Sequence, residues 1–155
     1  MSWLNFFFSF RGRINRARYW AFVGIVLLAV AFIAIVIWAV ATSGSEMADT
    51  IVGSIIVVTT LPYLISSFAI QTKRLHDRDK SAWWLVWFYF LPAALAGFVE
   101  AMVGDEAIAA LVGLLPLPMY IWGFVETGCL KGTDGPNRYG ADPLDGTEAV
   151  AKTFD

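Results

Sequence analysis

Residues 19–41 read YWAFVGIVLLAVAFIAIVIWAVA, a stretch that contains no Asp, Glu, Lys, Arg or His. A helix that crosses a membrane needs about 20 mostly apolar residues, so this stretch predicts a transmembrane helix. The whole chain is 58% hydrophobic and only 15% charged, whereas about a quarter of the residues in an average soluble domain are charged. This composition excludes a soluble enzyme, a disordered chain and a basic nucleic-acid-binding protein, and it indicates an integral membrane protein.

Three further stretches without charged residues follow the first one. We predict an all-α fold, an integral membrane bundle of four transmembrane helices that cross at about residues 19–41, 51–71, 82–99 and 107–125. The first span exceeds the roughly 7–15 apolar residues of a cleaved signal peptide, so we expect it to be retained. A single membrane domain, 1–155, would then include an interfacial segment at 1–18 and a cytoplasmic tail at 126–155.

The basic residues are distributed unequally among the segments between these spans. All 11 Lys and Arg residues lie in the N-terminal segment, the second loop or the C-terminal tail. The charged residues of the first and third loops are all acidic. Basic residues accumulate in the cytoplasmic loops of membrane proteins. We therefore expect both termini and the second loop in the cytoplasm.

An aromatic segment precedes the first arginines and is too short to cross a membrane. Its rings belong to Trp3, Phe6, Phe7, Phe8 and Phe10. The segment could lie in the cytoplasmic interface, with the rings in lipid and the arginines facing phosphates. It could equally pack on the bundle as a cap.

Three short polar motifs lie in the segments that we place in the cytoplasm. Residues 10–16 read FRGRINR, residues 73–77 read KRLHD and residues 137–143 read NRYGADP. Their order around four apolar stretches resembles the YhaH/YhaI-like family of bacterial inner-membrane proteins, over nearly the whole chain. The matching patterns are F-x-G-R-x-N-R, K-R-x-H-D and N-R-Y-G-x-D-P.

The resemblance implies a bacterial inner-membrane location, and it implies no activity because none is established for the family. The chain departs from the family at Asp79, where such proteins tend to have a glycine. This departure leaves the geometry of the turn around Asp79 open.

The residues that we single out as candidates for lipid binding, partner binding or an internal network belong to these segments: Arg11, Arg13, Arg16, Lys73, Arg74, His76, Asp77, Arg78, Asn137, Arg138, Tyr139 and Asp142. Three interpretations stay open. The basic residues could be topology signals solvated by headgroups. They could pair with the acids Asp77, Asp79, Asp134 and Asp142 and fold the tail back on the loops. They could also bind an anionic lipid or the acidic segment of a partner protein.

We expect no catalytic, cofactor-binding or metal-binding residues. His76 is the only histidine and Cys129 the only cysteine, so the usual His/Cys metal set cannot form. His76 adjoins Asp77, but adjacent residues on a helix do not face each other. The Asn, Gly and flanking Pro residues of 136–143 predict a turn.

The most consistent function is that of a non-enzymatic membrane protein without cofactors, whose basic cytoplasmic face binds anionic lipid headgroups or a protein partner. One alternative is a small channel or transport subunit that acts as a homo-oligomer around the polar second span, with Thr59, Thr60 and Ser66. Another is a lipid-modifying enzyme that acts at the interface through His76, Asp77 and Asp142.

Overall fold

A computed structural model describes residues 3–42 and 46–145. Every regular element within these ranges is helical, which confirms the predicted all-α class. The elements are α1 (Trp3–Phe8), α2 (Arg16–Ala41), α3 (Glu46–Asp77), a π-helical segment (Val86–Phe90) that leads into α4 (Leu91–Met102), α5 (Glu106–Val112), α6 (Leu117–Phe124) and a second π-helical segment (Val125–Cys129).

Three helical stretches are long and apolar enough to cross a membrane: Arg16–Val40, Thr50–Asp77 and Ala110–Cys129. The apolar helix Val86–Met102, which occupies the third predicted span, is shorter. At 1.5 Å per residue it measures about 25 Å, a little less than the hydrocarbon thickness of about 30 Å. The structure therefore shows three membrane-length stretches and one shorter apolar helix where the sequence predicts four spans.

The fourth predicted span is interrupted at its prolines. Residues 113–116 form turns between α5 and α6, and Pro116 and Pro118 lie at the start of α6. Proline has no backbone N–H to donate within a helix, so it is tolerated at a first turn and kinks or breaks a helix in its interior.

The start of α5 is capped by Asp105, whose carboxylate accepts the backbone N–H groups of Ala107 and Ile108 at 2.9 and 3.1 Å.

Helix α3 continues beyond the predicted membrane boundary at residue 71. It ends at Asp77, so Lys73, Arg74 and Asp77, which belong to the second loop between the predicted spans, lie in its last turns. The charged residues after residue 72 do not end the helix. Pro62 lies inside α3 without ending it. The candidate residues of the second motif are thus held on a rigid element.

The chain divides into two compact units. The first comprises residues 1–10 and 17–70 and contains α1, nearly all of α2 and most of α3. Its helix α2 exposes large apolar side chains such as Leu28, Phe32 and Trp38, which are 74%, 66% and 70% exposed. Apolar surface of this extent is unfavourable in water and suits contact with lipid. The expectation of a single domain stays a prediction.

The second unit comprises residues 11–16 and 71–155 and has a small aromatic core. Phe88 is fully buried, and its ring lies 5.6 Å from that of Trp84 and 5.3 Å from that of Trp122. A Cβ atom at Gly123 would come within 2.8 Å of Phe88 Cβ, so only glycine allows α6 to approach this close. Residues 126–145 of the predicted tail are described, while 146–155 lie outside the described residues.

Candidate functional site

Asp77 and two arginines form a buried charge cluster in the second unit, which we call the arginine–aspartate hub (Arg13, Arg74, Asp77). Arg13 donates from Nε to Asp77 Oδ1 at 3.1 Å, and its Nη2 lies 3.1 Å from the same oxygen. Arg74, one helical turn before Asp77 on α3, donates from Nη1 to Asp77 Oδ2. The side chains of Arg13, Arg74 and Asp77 are 1%, 0% and 4% exposed. The Asp77 carboxylate therefore accepts hydrogen bonds from two guanidinium groups whose residues, Arg13 and Arg74, are far apart in the sequence.

Backbone carbonyl groups of residues 127–140 accept the remaining hydrogen bonds of the hub arginines. Arg13 donates to the carbonyl oxygens of Thr133 and Gly135 at 2.6 and 2.7 Å and to Gly140 at 3.3 Å. Arg74 donates to Thr127 at 2.8 Å and also to Leu130. A planar guanidinium presents five N–H donors in a fixed fork, which suits several fixed acceptors at once. The hub thus joins the N-terminal segment, the end of α3 and the C-terminal segment.

The hub carries one more positive than negative charge, and Asp142 lies close enough to respond to it. Asp142 accepts the backbone N–H of Leu144 with Oδ1 and that of Gly135 with Oδ2, each at 2.9 Å. The bond from Leu144, then the bond from Gly135 and the charge of Arg13, lower the pKa of the Asp142 carboxyl below its usual value. Asp142 acts here as a cap for the turn rather than as an ion-pair partner.

Thr133 and Asn137, the first residue of the third motif, cap the C-terminal end of α3. Thr133 donates from its backbone N–H and from Oγ1 to the carbonyl of Asp77, at 2.8 and 3.0 Å. Asn137 donates from Nδ2 to the carbonyl of His76 at 2.8 Å. The last carbonyls of a helix have no partner within the helix, so these bonds satisfy groups that would otherwise be left unpaired. The predicted turn is confirmed, since Asn137 and Gly140 exchange backbone hydrogen bonds at 3.0 Å.

Asp79 occupies the left-handed position of a Schellman motif that ends α3. Its φ is 54°, its N–H donates to His76, and the N–H of Lys80 donates to Leu75. Glycine is the usual residue at this position because it has no Cβ to clash. The turn whose geometry the sequence left open therefore forms with aspartate in a left-handed conformation.

The side chains of the motif K-R-x-H-D and of N-R-Y-G-x-D-P also meet directly. The rings of His76 and Tyr139 stack with centroids 3.8 Å apart. Nδ1 of His76 donates to the carbonyl of Gly12 at 3.2 Å. Arg138 pairs with Asp79 at 3.1 Å, and both side chains are about half exposed, at 60% and 47%. One ring pair and one exposed ion pair thus join the second motif and the turn after it to the third motif.

A second buried carboxylate, which the sequence analysis missed, lies at Glu126. Its side chain is 5% exposed, and Oε1 lies 3.0 Å from Arg78 Nη2 and 3.2 Å from Lys80 Nζ. Lys80 Nζ also lies 4.3 Å from the ring centroid of Trp84. The sequence places Glu126 at the start of the predicted tail, directly after the fourth apolar stretch, and gives no signal of its partners.

The predicted candidate residues separate into buried and exposed groups. Arg13, Lys73, Arg74 and Asp77 are buried, whereas Arg11 and Arg16 are exposed. Arg16 donates from Nη1 to the carbonyl of Cys129 at 3.0 Å. The internal pairing that we considered for Asp77 and Asp79 is present.

Asp134 and Asp142, which we also considered as partners of the arginines, make other contacts. Asp134 pairs with Lys131 at 2.7 Å on the exposed surface, not with an arginine. Asp142 accepts backbone N–H groups, as described above.

Two of the threonines considered for a channel form hydrogen bonds within their own helix. Thr59 and Thr60 of α3 donate to the carbonyls of Ile55 and Ile56 at 2.8 and 2.7 Å within the same helix. A hydroxyl that donates a hydrogen bond to a carbonyl of its own helix can contact lipid at a small cost in free energy, because the hydroxyl is not left unpaired.

The chain is similar to proteins of one family over most of its length. The model of the family described as "Protein of unknown function (DUF805)" matches residues 7–141. The inner membrane protein YhaH of Escherichia coli strain K12 is 30% identical over 144 residues, 90% of this chain and 91% of YhaH. The inner membrane protein YhaI of the same organism is 28% identical over 151 residues, 95% of this chain and 96% of YhaI.

A third relative carries no location in its name. The uncharacterized protein YiiR of the same strain is 30% identical over 140 residues, 89% of this chain and 88% of YiiR. No solved structure matches the chain. The family model covers the first two motifs and residues 137–141 of the third.

Proposed function

Because the chain belongs to the DUF805 family of proteins of unknown function, we propose that it is a multi-pass inner-membrane protein that binds anionic phospholipid headgroups without catalysing a reaction. The proposal includes four membrane spans, with both termini and the hub on the cytoplasmic side. The names of YhaH and YhaI support the inner-membrane location. The unequal distribution of basic residues supports the orientation.

The observation that carries the proposal is that the arginines of the first motif differ in burial. Arg13 is buried and fixed by Asp77 and three carbonyl groups, whereas Arg11 and Arg16 on either side of it are exposed. The hub therefore holds a short segment of chain in place and leaves two arginines at its surface.

The proposal assigns these two arginines to the level of the lipid phosphates. Arg16 begins α2, and the apolar stretch of that helix starts at Tyr19, less than one turn later. A basic residue near an anionic membrane surface contributes about 1 kcal/mol of attraction, so the two arginines together supply about 2 kcal/mol. This is enough to enrich anionic lipids beside the protein without holding one lipid permanently.

The geometry around His76 and Asp77 supports a structural role more than catalysis. Both oxygens of Asp77 accept from guanidinium groups, and Nδ1 of His76 donates to a carbonyl. A general base needs a lone pair directed at a substrate proton, and the Asp77 carboxylate is 4% exposed. The channel subunit and the lipid-modifying enzyme stay predictions of the sequence.

The proposal is tested by measuring which lipids stay bound. The protein and its Arg11→Ala/Arg16→Ala double variant are extracted in native lipid particles, and the ratio of phosphatidylglycerol to phosphatidylethanolamine is measured by mass spectrometry. We expect the ratio around the wild-type protein to exceed that of the surrounding membrane, and to fall to the membrane value in the double variant.

Lys131→Ala provides the matched control. It also removes an exposed positive charge, but one that pairs with Asp134 in the tail. The control should keep the wild-type lipid ratio. The same ratio in the wild type, the double variant and the bulk membrane would contradict the proposal.

A further inference from the structure

The first unit contains a groove between α1 and the first three turns of α2. Its volume is about 360 Å³, within the range of about 300–1,000 Å³ that small-molecule sites occupy. The apolar side chains that line it come from both helices: Trp3, Phe6, Phe7, Ala21, Phe22 and Ile25. The groove is therefore a mainly aromatic surface at the beginning of a membrane-length helix.

One charged residue, Arg18, lines the same groove. On α2 it precedes Ile25 by seven residues, which corresponds to about 10 Å along the helix. The lining thus changes from a cation at one end to apolar side chains at the other. A ligand that matches this lining has an anionic group beside Arg18 and an apolar chain that extends toward Ile25.

The aromatic rings give the groove a defined shape. The rings of Phe6 and Phe7 meet edge to face at 5.0 Å, and Phe7 lies 6.2 Å from Phe22. Trp3 stacks over Phe7 at 6.3 Å but stays 78% exposed. A large exposed indole beside an apolar groove is unfavourable in water and favourable at the lipid headgroup level.

We propose that this groove binds one acyl chain of an anionic phospholipid, whose phosphate lies beside Arg18. The proposal rests on the proposed function in that it assumes an anionic membrane surface at this end of α2. It differs in kind, because Arg11 and Arg16 would attract any anionic headgroup while the groove would position a single lipid chain.

Photocrosslinking in lipid nanodiscs tests the groove. The probes are phosphatidylglycerol and phosphatidylcholine that carry the same photoactivatable diazirine in one acyl chain, each present in trace amount in phosphatidylcholine nanodiscs. Mass spectrometry then locates the crosslinks along α1 and α2. We expect phosphatidylglycerol crosslinks to concentrate on residues 3–25, and phosphatidylcholine crosslinks to spread along the exposed length of α2.

Two pairs of variants separate the groove from bulk lipid contact. Ala21→Trp fills the groove and should remove the concentration of crosslinks, whereas Ala29→Trp places the same side chain on the exposed surface of α2 and should leave it unchanged. Arg18→Gln should reduce the preference for phosphatidylglycerol about five-fold, the effect of one basic residue near an anionic surface. Arg18→Lys should retain most of it.

Three results would overturn the inference: crosslinks spread evenly along α2, crosslinks insensitive to Ala21→Trp, or equal labelling by the two probes. Circular dichroism of each variant shows whether the helices have formed. A failure of the proposed function would appear instead as unchanged total retention of phosphatidylglycerol in the Arg11→Ala/Arg16→Ala variant, which the distribution of crosslinks does not measure.

Discussion

Gly132 lies directly against the carboxylate of Asp77. A Cβ atom at Gly132 would come within 2.1 Å of Asp77 Oδ2 and 2.6 Å of its Cγ. Oδ2 is the oxygen that accepts the hydrogen bond from Arg74. The absence of a side chain at residue 132 is therefore a condition for the hub, because it allows the C-terminal segment to cover the buried carboxylate.

Gly132→Ala should destabilise the protein by displacing Asp77 from Arg74. Overpacking a well-packed site costs about 1–3 kcal/mol. The free energy of unfolding in detergent micelles, followed by tryptophan fluorescence, measures this loss. Gly97→Ala in α4 is the control, since a Cβ there meets nothing within 4 Å, and it should be neutral or slightly stabilising. Equal stability of the two variants would refute the close approach.

Asp79→Gly should be tolerated better than Asp79→Ala. The φ of Asp79 is 54°, a conformation that glycine adopts freely and that costs alanine about 1 kcal/mol. Both substitutions remove the exposed ion pair with Arg138, so this loss cancels in the comparison. The glycine variant should therefore have the higher midpoint of thermal unfolding. The reverse order would contradict the left-handed backbone conformation at residue 79.

Tyr139→Phe should preserve the stack on His76, whereas Tyr139→Ala should lose it. Aromatic pairs contribute about 0.5–1.5 kcal/mol beyond the area that they bury. The ring centroids are 3.8 Å apart, so a phenyl ring can replace the phenol without moving. The two free energies of unfolding decide between a role for the ring and a role for the hydroxyl. A loss in the phenylalanine variant as large as that in the alanine variant would favour the hydroxyl.

Asp142 should make stability depend on pH in the acidic range. Its pKa is lowered in the folded protein, mainly by the N–H of Leu144 and then by that of Gly135. A carboxyl with a lowered folded-state pKa stabilises the protein above its unfolded-state pKa, which is 3.8 for this group, and this stability is lost as the pH falls through the folded-state value. Asp142→Asn should flatten the decline in unfolding midpoint below about pH 4, and an unchanged slope would argue against the capping role.

Much of the helical content could be predicted from the sequence. Charge-free stretches predict α2 and α3, because a membrane-length helix depends on composition over about 20 neighbouring residues. The turn at Asn137–Gly140 also follows from local chemistry, since asparagine and glycine tolerate left-handed backbone angles. The interruption between α5 and α6 also has a local cause, since Pro116 and Pro118 at the start of α6 have no backbone N–H to donate.

The sequence could not predict which arginines of the first motif are buried and which are exposed. Arg11, Arg13 and Arg16 have the same charge and the same kind of neighbours in sequence, yet only Arg13 meets Asp77, 64 residues away. Its carbonyl acceptors are more than 100 residues away. Such contacts depend on how distant segments meet, which residue type and spacing do not encode. Glu126 was missed for the same reason, because its partners Arg78 and Lys80 are 48 and 46 residues earlier in the chain.

The linkage of Arg13 to Asp77 is tested most directly by a double-mutant cycle on the free energy of unfolding. Breaking a buried pair by removing one partner costs about 3–5 kcal/mol, so Arg13→Gln and Asp77→Asn should each be strongly destabilising. Because both lose the same interaction, the double variant should lose less than the sum, with a coupling energy of about 1.5 kcal/mol or more. The exposed pair Lys131–Asp134 should couple by about 1 kcal/mol or less. Additivity of Arg13→Gln and Asp77→Asn within about 0.5 kcal/mol would contradict the hub.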